Sequence, residues 1–215
     1  MRIKVAAIIV AAGTGTRFGG LKQLELLEGR RIVDISLSIA RPFVDYVVCV
    51  KTPTVDFGSL EADMVVDGGD TRSGSVRIGL EALPEDVDFV LVHDAARPLA
   101  SGNLYLEILS KLEHGSTAVV PVVAVSDTIK EVEDGRVVRT ADRSRLFLTQ
   151  TPQGFSKLVL VEAHRSGLDA TDDAQLAEMI GVPVDVIPGE TSNFKITTME
   201  DLDRASHLLK DRIID

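Results

Sequence analysis

The chain is poor in cysteine and lacks a long hydrophobic run. A single cysteine among 215 residues, Cys49, excludes an intramolecular disulfide and any metal site built from several cysteines. The first apolar run ends at Gly13, and no stretch approaches the roughly 20 uninterrupted apolar residues that a membrane-spanning helix needs. We therefore expect no membrane as a partner.

The chain also has fewer positively charged than negatively charged residues. The sequence has 23 Lys and Arg residues against 33 Asp and Glu residues, which gives a formal net charge of -10 at pH 7. An acidic chain with no long basic run is a poor binder of nucleic acids and of anionic membranes. The first residues run directly into strand-like sequence and offer no signal-peptide cleavage site. We expect a cytoplasmic protein that does not bind nucleic acid.

The residues that are present indicate a globular α/β protein. Hydrophobic residues make up 45% of the chain and charged residues 26%, which is ordinary for a folded domain. A length of 215 residues fits one α/β domain better than two. We therefore expect a single domain over residues 1–215.

Apolar, β-branched runs of strand length alternate with segments of helical period. This alternation predicts a doubly wound, mostly parallel sheet with helices on both faces. The predicted strands are 5–10, 46–50, 64–66, 89–92 and 118–123. The predicted helices are 32–40, 103–112 and 199–209. A further predicted helix is capped by Asp70 or Thr71 and runs to about Leu83.

A charged hairpin follows the last predicted strand. Two alternating runs, 128–133 and 136–140, flank the pair Asp134-Gly135, and Asp-Gly between alternating runs is a strong hairpin signal. A hairpin this polar cannot lie in the core. It is either a solvated flap or an arm that reaches another subunit.

The loop after the first predicted strand is the first candidate for a binding site. Ligands of open α/β sheets lie beyond the carboxyl ends of the strands, and small residues in loop 11–22 would let backbone N–H groups approach phosphates. Phe18 stands where a dinucleotide-binding loop needs its third glycine, and Leu21 stands where a P-loop needs lysine. Both of those loops are excluded, which leaves a different phosphate-binding loop or a flexible surface loop.

Further polar residues follow the other predicted strands. Residues 67–70, Asp-Gly-Gly-Asp, with Ser75 fit a nucleoside, although the glycines could also form a plain turn before a helix cap. Asp94 could meet a metal or a sugar hydroxyl, or cap the next loop, and Arg97 could bind an anion or stay exposed. Lys195 lies in a strand-like run, where lysine is either an edge-strand gatekeeper or a rigidly held cation.

The chain resembles the 2-C-methyl-D-erythritol 4-phosphate cytidylyltransferase family in the order of its motifs. These motifs are Ala-Ala-Gly-x-Gly-x-Arg…Lys-Gln, Asp-Gly-Gly-Asp-x-Arg…Ser, His-Asp-Ala-Ala-Arg-Pro, Asp-Thr, Asp-Arg, Thr-Pro-Gln and Asn-x-Lys-x-Thr. They run from Ala11 to Thr197, so the resemblance covers nearly the whole chain. The first motif marks only the wider nucleotidyltransferase family, whereas 93–98, 151–153 and 193–197 are far more specific.

The resemblance implies a Rossmann-like nucleotidyltransferase that transfers CMP from CTP to a polyol phosphate with Mg²⁺, in isoprenoid precursor synthesis. It also implies a homodimer in which a hairpin arm, at about 124–145, crosses to the other subunit and brings Thr128 and Arg143 to the partner's site. The implied transition-state stabilisers are Arg17 and Lys22, and the residues that position the sugar phosphate are Arg143 and Lys195. The implied nucleotide-binding residues are Ala11, Ala12, Gly13, Thr14, Gly15, Gly69, Asp70 and Ser75. The implied residues around the second substrate or the triphosphate are Asp94, Arg97, Thr128, Thr151 and Thr171.

The chain departs from this family at two loop positions, since Val10 and Leu21 stand where many relatives carry proline. These departures affect the loop geometry more than the chemistry, because both loop cations remain. The sequence shows no nucleophilic side chain paired with a general base. We expect His114, His164 and His207 on the surface rather than in such a pair. A phosphate monoester is already ionised at neutral pH, so transfer to it needs no general base.

Three alternatives remain beside this interpretation. A ribitol 5-phosphate cytidylyltransferase shares the scaffold and the nucleotide. A nicotinamide-dependent oxidoreductase is disfavoured by the missing third glycine and by Val50-Lys51 where an acidic residue is expected. A nucleotide-sensing module without catalysis is disfavoured because it would not need Lys22 and Lys195 together.

Overall fold

In the computed structural model, which describes residues 2–16, 18–165 and 167–214, strands and helices alternate along most of the chain. The strands are β1 (Val5–Ala11), β2 (Leu26–Leu27), β3 (Arg30–Arg31), β4 (Tyr46–Lys51), β5 (Met64–Asp67), β6 (Phe89–Asp94), β7 (Ala118–Ala124), β8 (Lys130–Glu133), β9 (Arg136–Thr140), β10 (Phe147–Thr149), β11 (Gln153–Ser156) and β12 (Asp185–Pro188). The helices are α1 (Ile32–Ala40), α2 (Arg72–Glu81), α3 (Gly102–Glu113), α4 (Lys157–Arg165), α5 (Asp173–Met179) and α6 (Met199–Ile214).

A mostly parallel sheet forms the centre of the fold, in the order β10-β7-β11-β6-β1-β4-β5, with β12 paired to β7. Strand β1 is parallel to β4 and β6, and β4 is parallel to β5. The short strand β11 runs antiparallel between β6 and β7, and β10 is antiparallel to β7. The predicted α/β class and mostly parallel sheet are confirmed.

Helices cover both faces of the sheet, as predicted. Successive residues of β1 point to opposite faces, so that Ile9 packs in the cluster with α1 and α3. Its neighbour Ile8 packs in the cluster with α2, α4 and α5. Both isoleucines are 0% exposed, and each contributes about 1.5–3 kcal/mol through burial of its side chain. A strand that is apolar on both faces therefore requires this three-layer arrangement.

A third apolar cluster anchors the C-terminal part of the chain. Leu202 and Ala205 of α6 pack with Ile32 and Ile35 of α1 and with Ile196. This packing places the segment 193–197 beside the carboxyl end of β6, where the backbone N–H of Ile196 donates to the carbonyl of Ala96 at 2.8 Å.

The element predictions are accurate for the strongly patterned segments. Each of the five predicted strands lies within an observed strand that extends one or two residues further. Helix 32–40 has the predicted bounds, and α2 is capped by Thr71, whose Oγ1 accepts from the backbone N–H of Gly74 at 3.0 Å. None of the described helices is long and apolar enough to cross a membrane.

Two predictions are wrong. His164 is buried rather than on the surface, because α4 packs against α5 and the imidazole meets a buried carboxylate there. The run 193–197 is not a strand, because its backbone N–H groups find separate partners, Ile196 on the carbonyl of Ala96 and Thr197 on the carboxylate of Asp201, and it pairs with no strand among the described residues.

The predicted hairpin is present and its residues are exposed. Strands β8 and β9 pair only with each other among the described residues, and Asp134 and Gly135 at the turn both have positive φ, 47° and 74°. Positive φ at both central positions is the type I′ geometry that Asp-Gly favours. Val132, Val137 and Val138 of this hairpin are each more than half exposed.

Candidate active site

A cleft of about 310 Å³ opens at the carboxyl ends of β1, β5 and β6. Its walls are the loop after β1, the loop between β5 and α2, the end of β6 and the segment 193–197. It collects eleven of the predicted site residues, which are Ala11, Ala12, Gly13, Thr14, Gly15, Lys22, Gly69, Asp70, Ser75, Asp94 and Lys195.

The loop after β1 is held by a buried glutamine. Gln23 Nε2 donates to the carbonyls of Ala11 and Gly13 at 3.0 and 2.9 Å, and the side chain of Gln23 is 3% exposed. Gly15 has a φ of 65°, and a Cβ at this position would overlap the carbonyl of Gly20. Glycine is therefore required for the loop to fold back on itself. The predicted residue Arg17 lies outside the described residues.

Lys22 links this loop to the opposite wall of the cleft. Its Nζ donates to the carbonyl of Ile196 at 2.8 Å. A carbonyl orients the ammonium group and leaves its formal charge in place. The arrangement suits a cation that must meet a phosphate chain.

The loop between β5 and α2 presents backbone to the cleft. A side chain at Gly68 would overlap the Cβ of Ala12 and the Oγ of Ser75, so the two loops touch here. The backbone N–H of Gly69 donates to Ser75 Oγ at 3.2 Å, and Ser75 Oγ donates to the carbonyl of Thr71 at 2.9 Å. Gly69 is thus fixed just before the N-terminus of α2, where backbone N–H groups favour an anionic or polar ligand.

Asp94, the last residue of β6, is the charged centre of the cleft. Its Oδ1 accepts from Arg72 Nε at 3.1 Å, and its Oδ2 accepts from Lys195 Nζ at 2.7 Å. The carboxylate is 10% exposed. Burial alone raises the pKa of Asp94, but the charges of Arg72 and Lys195 outweigh burial and hold it well below its usual range. Asp94 is therefore ionised and fixed at both oxygens.

A second network supports Asp94 from behind the sheet end. The backbone N–H of Asp94 donates to Thr151 Oγ1 at 3.0 Å, and that hydroxyl lies 3.1 Å from His93 Nδ1. His93 Nε2 donates to the carbonyl of Arg97 at 3.2 Å. Burial lowers the pKa of His93 to about 4. The imidazole is thus neutral at pH 7, with Nδ1 accepting from Thr151.

A second recess of about 280 Å³ adjoins the cleft and shares Arg72, Asp94 and Lys195 with it. It contains three further predicted residues, which are Arg97, Thr151 and Thr171. Arg97 Nη1 donates to the carbonyl of Asn193 at 2.7 Å. Within the described part of the chain, Arg97 Nε and Arg72 Nη2 are buried atoms with no hydrogen-bond partner. Such unpaired donors are costly unless a ligand satisfies them.

Two predicted residues lie away from both cavities. Thr128 is exposed in the approach to the hairpin, and neither it nor Arg143 lines the cleft or the recess in the described residues. Arg143 follows the hairpin and its Nη1 donates to the carbonyl of Ser126.

Sequence reasoning assigned no role to Arg72, Gln23 or Asn193. Arg72 stands in the Asp-Gly-Gly-Asp-x-Arg motif directly after the helix cap, and this position was the available signal. Gln23 and Asn193 also stand in motifs of the resemblance, Lys-Gln and Asn-x-Lys-x-Thr. The motifs did not reveal their partners, which are mainly backbone carbonyls, such as that of Thr151 at 2.9 Å from Asn193 Nδ2.

The site therefore offers fixed cations and backbone donors around two adjoining cavities. Lys22, Lys195, Arg72 and Arg97 are brought together within an acidic chain. Such a set suits two phosphorylated ligands bound side by side, where cations offset the repulsion between them.

Comparisons with known proteins agree with this geometry. The family model described as IspD, 2-C-methyl-D-erythritol 4-phosphate cytidylyltransferase, matches residues 5–211. A 2-C-methyl-D-erythritol 4-phosphate cytidylyltransferase of Frankia casuarinae is 46% identical over 217 residues, which cover 96% of this chain and 81% of that protein. A bifunctional enzyme IspD/IspF of Nitratidesulfovibrio vulgaris is 51% identical over 142 residues, which cover 64% of this chain and only 36% of that protein.

A solved structure resembles the fold of this chain over nearly its whole length. The crystal structure of 2-C-methyl-D-erythritol 4-phosphate cytidylyltransferase from Thermus thermophilus has a TM-score of 0.83 and 34% identity, and the match covers 98% of this chain and 100% of that chain. The chain belongs to the 2-C-methyl-D-erythritol 4-phosphate cytidylyltransferase family.

Proposed function

We propose that the chain performs the reaction named for its family, the transfer of CMP from CTP to 2-C-methyl-D-erythritol 4-phosphate with release of pyrophosphate. This reaction belongs to the non-mevalonate synthesis of isoprenoid precursors. The observation that carries the proposal is the junction at Asp94, where Arg72 and Lys195 belong to both cavities. CTP occupies the cleft and the polyol phosphate occupies the second recess, so the two substrates meet at this junction.

The cleft binds CTP through backbone and cations. Residues 11–15 supply backbone N–H groups to the triphosphate, and Arg17 and Lys22 offset its charge. Gly69, Asp70 and Ser75 hold the nucleoside. A pocket that pairs with the exocyclic amine of cytosine leaves buried polar groups unpaired when another base binds, so discrimination can be large.

The chemistry needs positioning more than proton transfer. The phosphate of the polyol is ionised at neutral pH and attacks the α-phosphorus of CTP directly, and pyrophosphate leaves with the electron pair of the broken bond. Lys195 and Arg97 orient the attacking phosphate, and the ionised Asp94 accepts hydrogen bonds from polyol hydroxyls. Lys22, fixed on the carbonyl of Ile196, stabilises the charge that develops around the α-phosphoryl group and the leaving group.

Magnesium is the proposed cofactor. The described residues contain no cluster of three or more His, Cys, Asp or Glu side chains that could hold a metal ion. Mg²⁺ is commonly bound by one or two carboxylates together with substrate phosphates and water. The cleft fits that mode with the triphosphate and water as the main ligands, because both oxygens of Asp94 already accept from Arg72 and Lys195. When bound, the ion neutralises charge on the phosphates.

We also propose a homodimer formed through the arm at 124–145. Phe147 and Leu148 of β10 are 51% and 61% exposed, and Val137 of the arm is 60% exposed. A second copy would cover this apolar surface. In that assembly Thr128 and Arg143 complete the partner's second recess, where Arg143 helps Lys195 to position the sugar phosphate. The proposed location is the cytoplasm, where CTP is available.

Pyrophosphate release tests the reaction. The purified chain is incubated with CTP and Mg²⁺, with 2-C-methyl-D-erythritol 4-phosphate in one tube and ribitol 5-phosphate in another. Release in the first tube alone is expected. Release with ribitol 5-phosphate alone would replace the acceptor, and no release in either tube would contradict the enzymatic function.

Mixed dimers test the shared site. Chains with Arg143→Ala and chains with Lys22→Ala are each expected to be nearly inactive. In a mixed dimer, one site combines the intact Lys22 of one chain with the intact Arg143 of the other. After random exchange of subunits, about a quarter of all sites are intact, as expected for a symmetric dimer. A mixture that regains no activity contradicts the crossing of the arm.

A further inference from the structure

A buried chain of side chains runs from Asp94 away from both cavities. Arg72 donates from Nε to Asp94 and from Nη1 to Asp173 Oδ2 at 2.9 Å. The other oxygen of Asp173 lies 2.9 Å from His164 Nε2. Asp173 is 0% exposed and His164 is 3% exposed. The guanidinium group of Arg72 is therefore held at both ends by carboxylates, one in the site and one behind it.

We propose that Asp173 and His164 are positioning residues for cytidylyl transfer, which act by holding Arg72 against Asp94. This inference rests on the proposed function, since it concerns the same site. Neither residue lines the cleft or the second recess among the described residues. Each acts through Arg72, which lines both.

The geometry explains why both residues are needed. A guanidinium bound only through Nε can still change the direction of its plane, whereas a second carboxylate on Nη1 fixes that plane. The carboxylate of Asp173 is in turn fixed by the imidazole N–H of His164 and by its own place at the first turn of α5. Helices α4 and α5, which pack on the face of the sheet behind the site, thus help to orient Asp94 through Arg72.

The stability of the fold does not explain why this buried network of charged side chains is present. A buried ion pair loses about as much through desolvation as it gains through attraction, and apolar replacements of similar volume are often equally stable. A network of two carboxylates, one guanidinium and one imidazole in the interior therefore indicates selection for orientation. The unpaired buried Nη2 of Arg72 agrees with a group that awaits a substrate oxygen.

The test uses Asp173→Asn, which removes the charge and keeps the shape. We expect kcat/KM for the polyol phosphate to fall about tenfold or more, as for the loss of one charge-assisted hydrogen bond, while KM for CTP changes less than about twofold. Glu178→Gln is the matched control, since Glu178 is an exposed carboxylate on the same helix. It should retain wild-type kinetics.

A double-mutant cycle separates positioning from a general structural role. In an Arg72→Met background, Asp173→Asn should cause no further loss of kcat/KM, because its route to Asp94 is already gone. His164→Gln should follow the same pattern with a smaller loss, and it replaces Asp173→Asn if that variant does not fold. An additional loss of about tenfold in the Arg72→Met background would overturn the proposal.

A crystal structure of Asp173→Asn gives a readout that does not depend on activity. Displacement of Arg72 from Asp94 supports the proposal, and an unchanged contact near 3.1 Å overturns it. If the wild type and Glu178→Gln both fail to release pyrophosphate, the proposed function fails, and the crystal structure still decides whether Asp173 positions Arg72.

Discussion

Acidification from pH 7 to pH 5 will destabilise the fold through His93. The imidazole is 0% exposed, and burial lowers its pKa from 6.5 to about 4. The unfolded chain binds a proton at His93 below about pH 6.5, whereas the folded chain does not bind it until about pH 4. The stability due to the neutral imidazole is therefore fully present above pH 6.5 and is lost as the pH falls towards 4.

The magnitude follows from this difference in pKa. One unit corresponds to about 1.4 kcal/mol, so the full effect is about 3 kcal/mol, of which about 2 kcal/mol is lost between pH 7 and pH 5. Protonation of Nδ1 would also end the hydrogen bond from Thr151, and Thr151 supports the backbone of Asp94. The pKa of Asp94 itself is held well below its usual range by its neighbours, so this carboxylate titrates below the window.

Urea unfolding at pH 7, 6 and 5 and constant ionic strength measures this effect. His93→Gln should be less stable than the wild type at pH 7, but its free energy of unfolding should fall by about 2 kcal/mol less on going to pH 5. His207→Gln is the control, because His207 is exposed, and it should follow the wild type. Equal losses in the wild type and in His93→Gln would refute the reasoning.

Three further predictions concern the cleft and the core. Lys22→Ala should lower kcat about a hundredfold, or about 3 kcal/mol, in a steady-state pyrophosphate assay, and a loss below threefold would exclude it as a transition-state stabiliser. Gly68→Ala should raise KM for CTP at least about tenfold, because the new Cβ would overlap Ala12 and Ser75; unchanged CTP kinetics would contradict this packing. Cys49 should resist thiol reagents in the native protein, since burial raises its pKa to about 12, and labelling as fast as in urea would show that the thiol is accessible.

The fold was predictable where local patterns and tertiary packing agree. Strand β1 is apolar on both faces and lies at the centre of the sheet, and α1 carries its apolar residues at helical spacing with Pro42 just beyond it. The short strands β10, β11 and β12 were not predicted, because three or four residues carry too little periodicity. Their position depends on which neighbouring strand has a free edge.

The sequence predicts where the site residues lie, at the ends of strands, but it predicts only some of their side-chain contacts. Rules for parallel sheets place Asp94 and the loop after β1 at one edge, and the structure brings them to one cleft. His164 was expected on the surface because nothing near it in the sequence marks a buried partner. Asp173 becomes that partner only when α4 and α5 pack together. Polar networks of this kind depend on residues about 100 positions apart, such as Arg72 and Asp173.

The distribution of charge explains how a chain with net charge -10 can hold two polyanions. Two of its site cations are anchored on neutral acceptors, since Lys22 donates to the carbonyl of Ile196 and Arg97 to that of Asn193. A carbonyl acceptor orients each of these cations towards the site without itself carrying an opposite formal charge. Lys195 and Arg72 are instead tied to Asp94, whose negative charge lowers the local potential where the polyol hydroxyls must bind. Under the proposed function all four cations serve the phosphates, and the pair tied to Asp94 also marks the point where the two substrates meet.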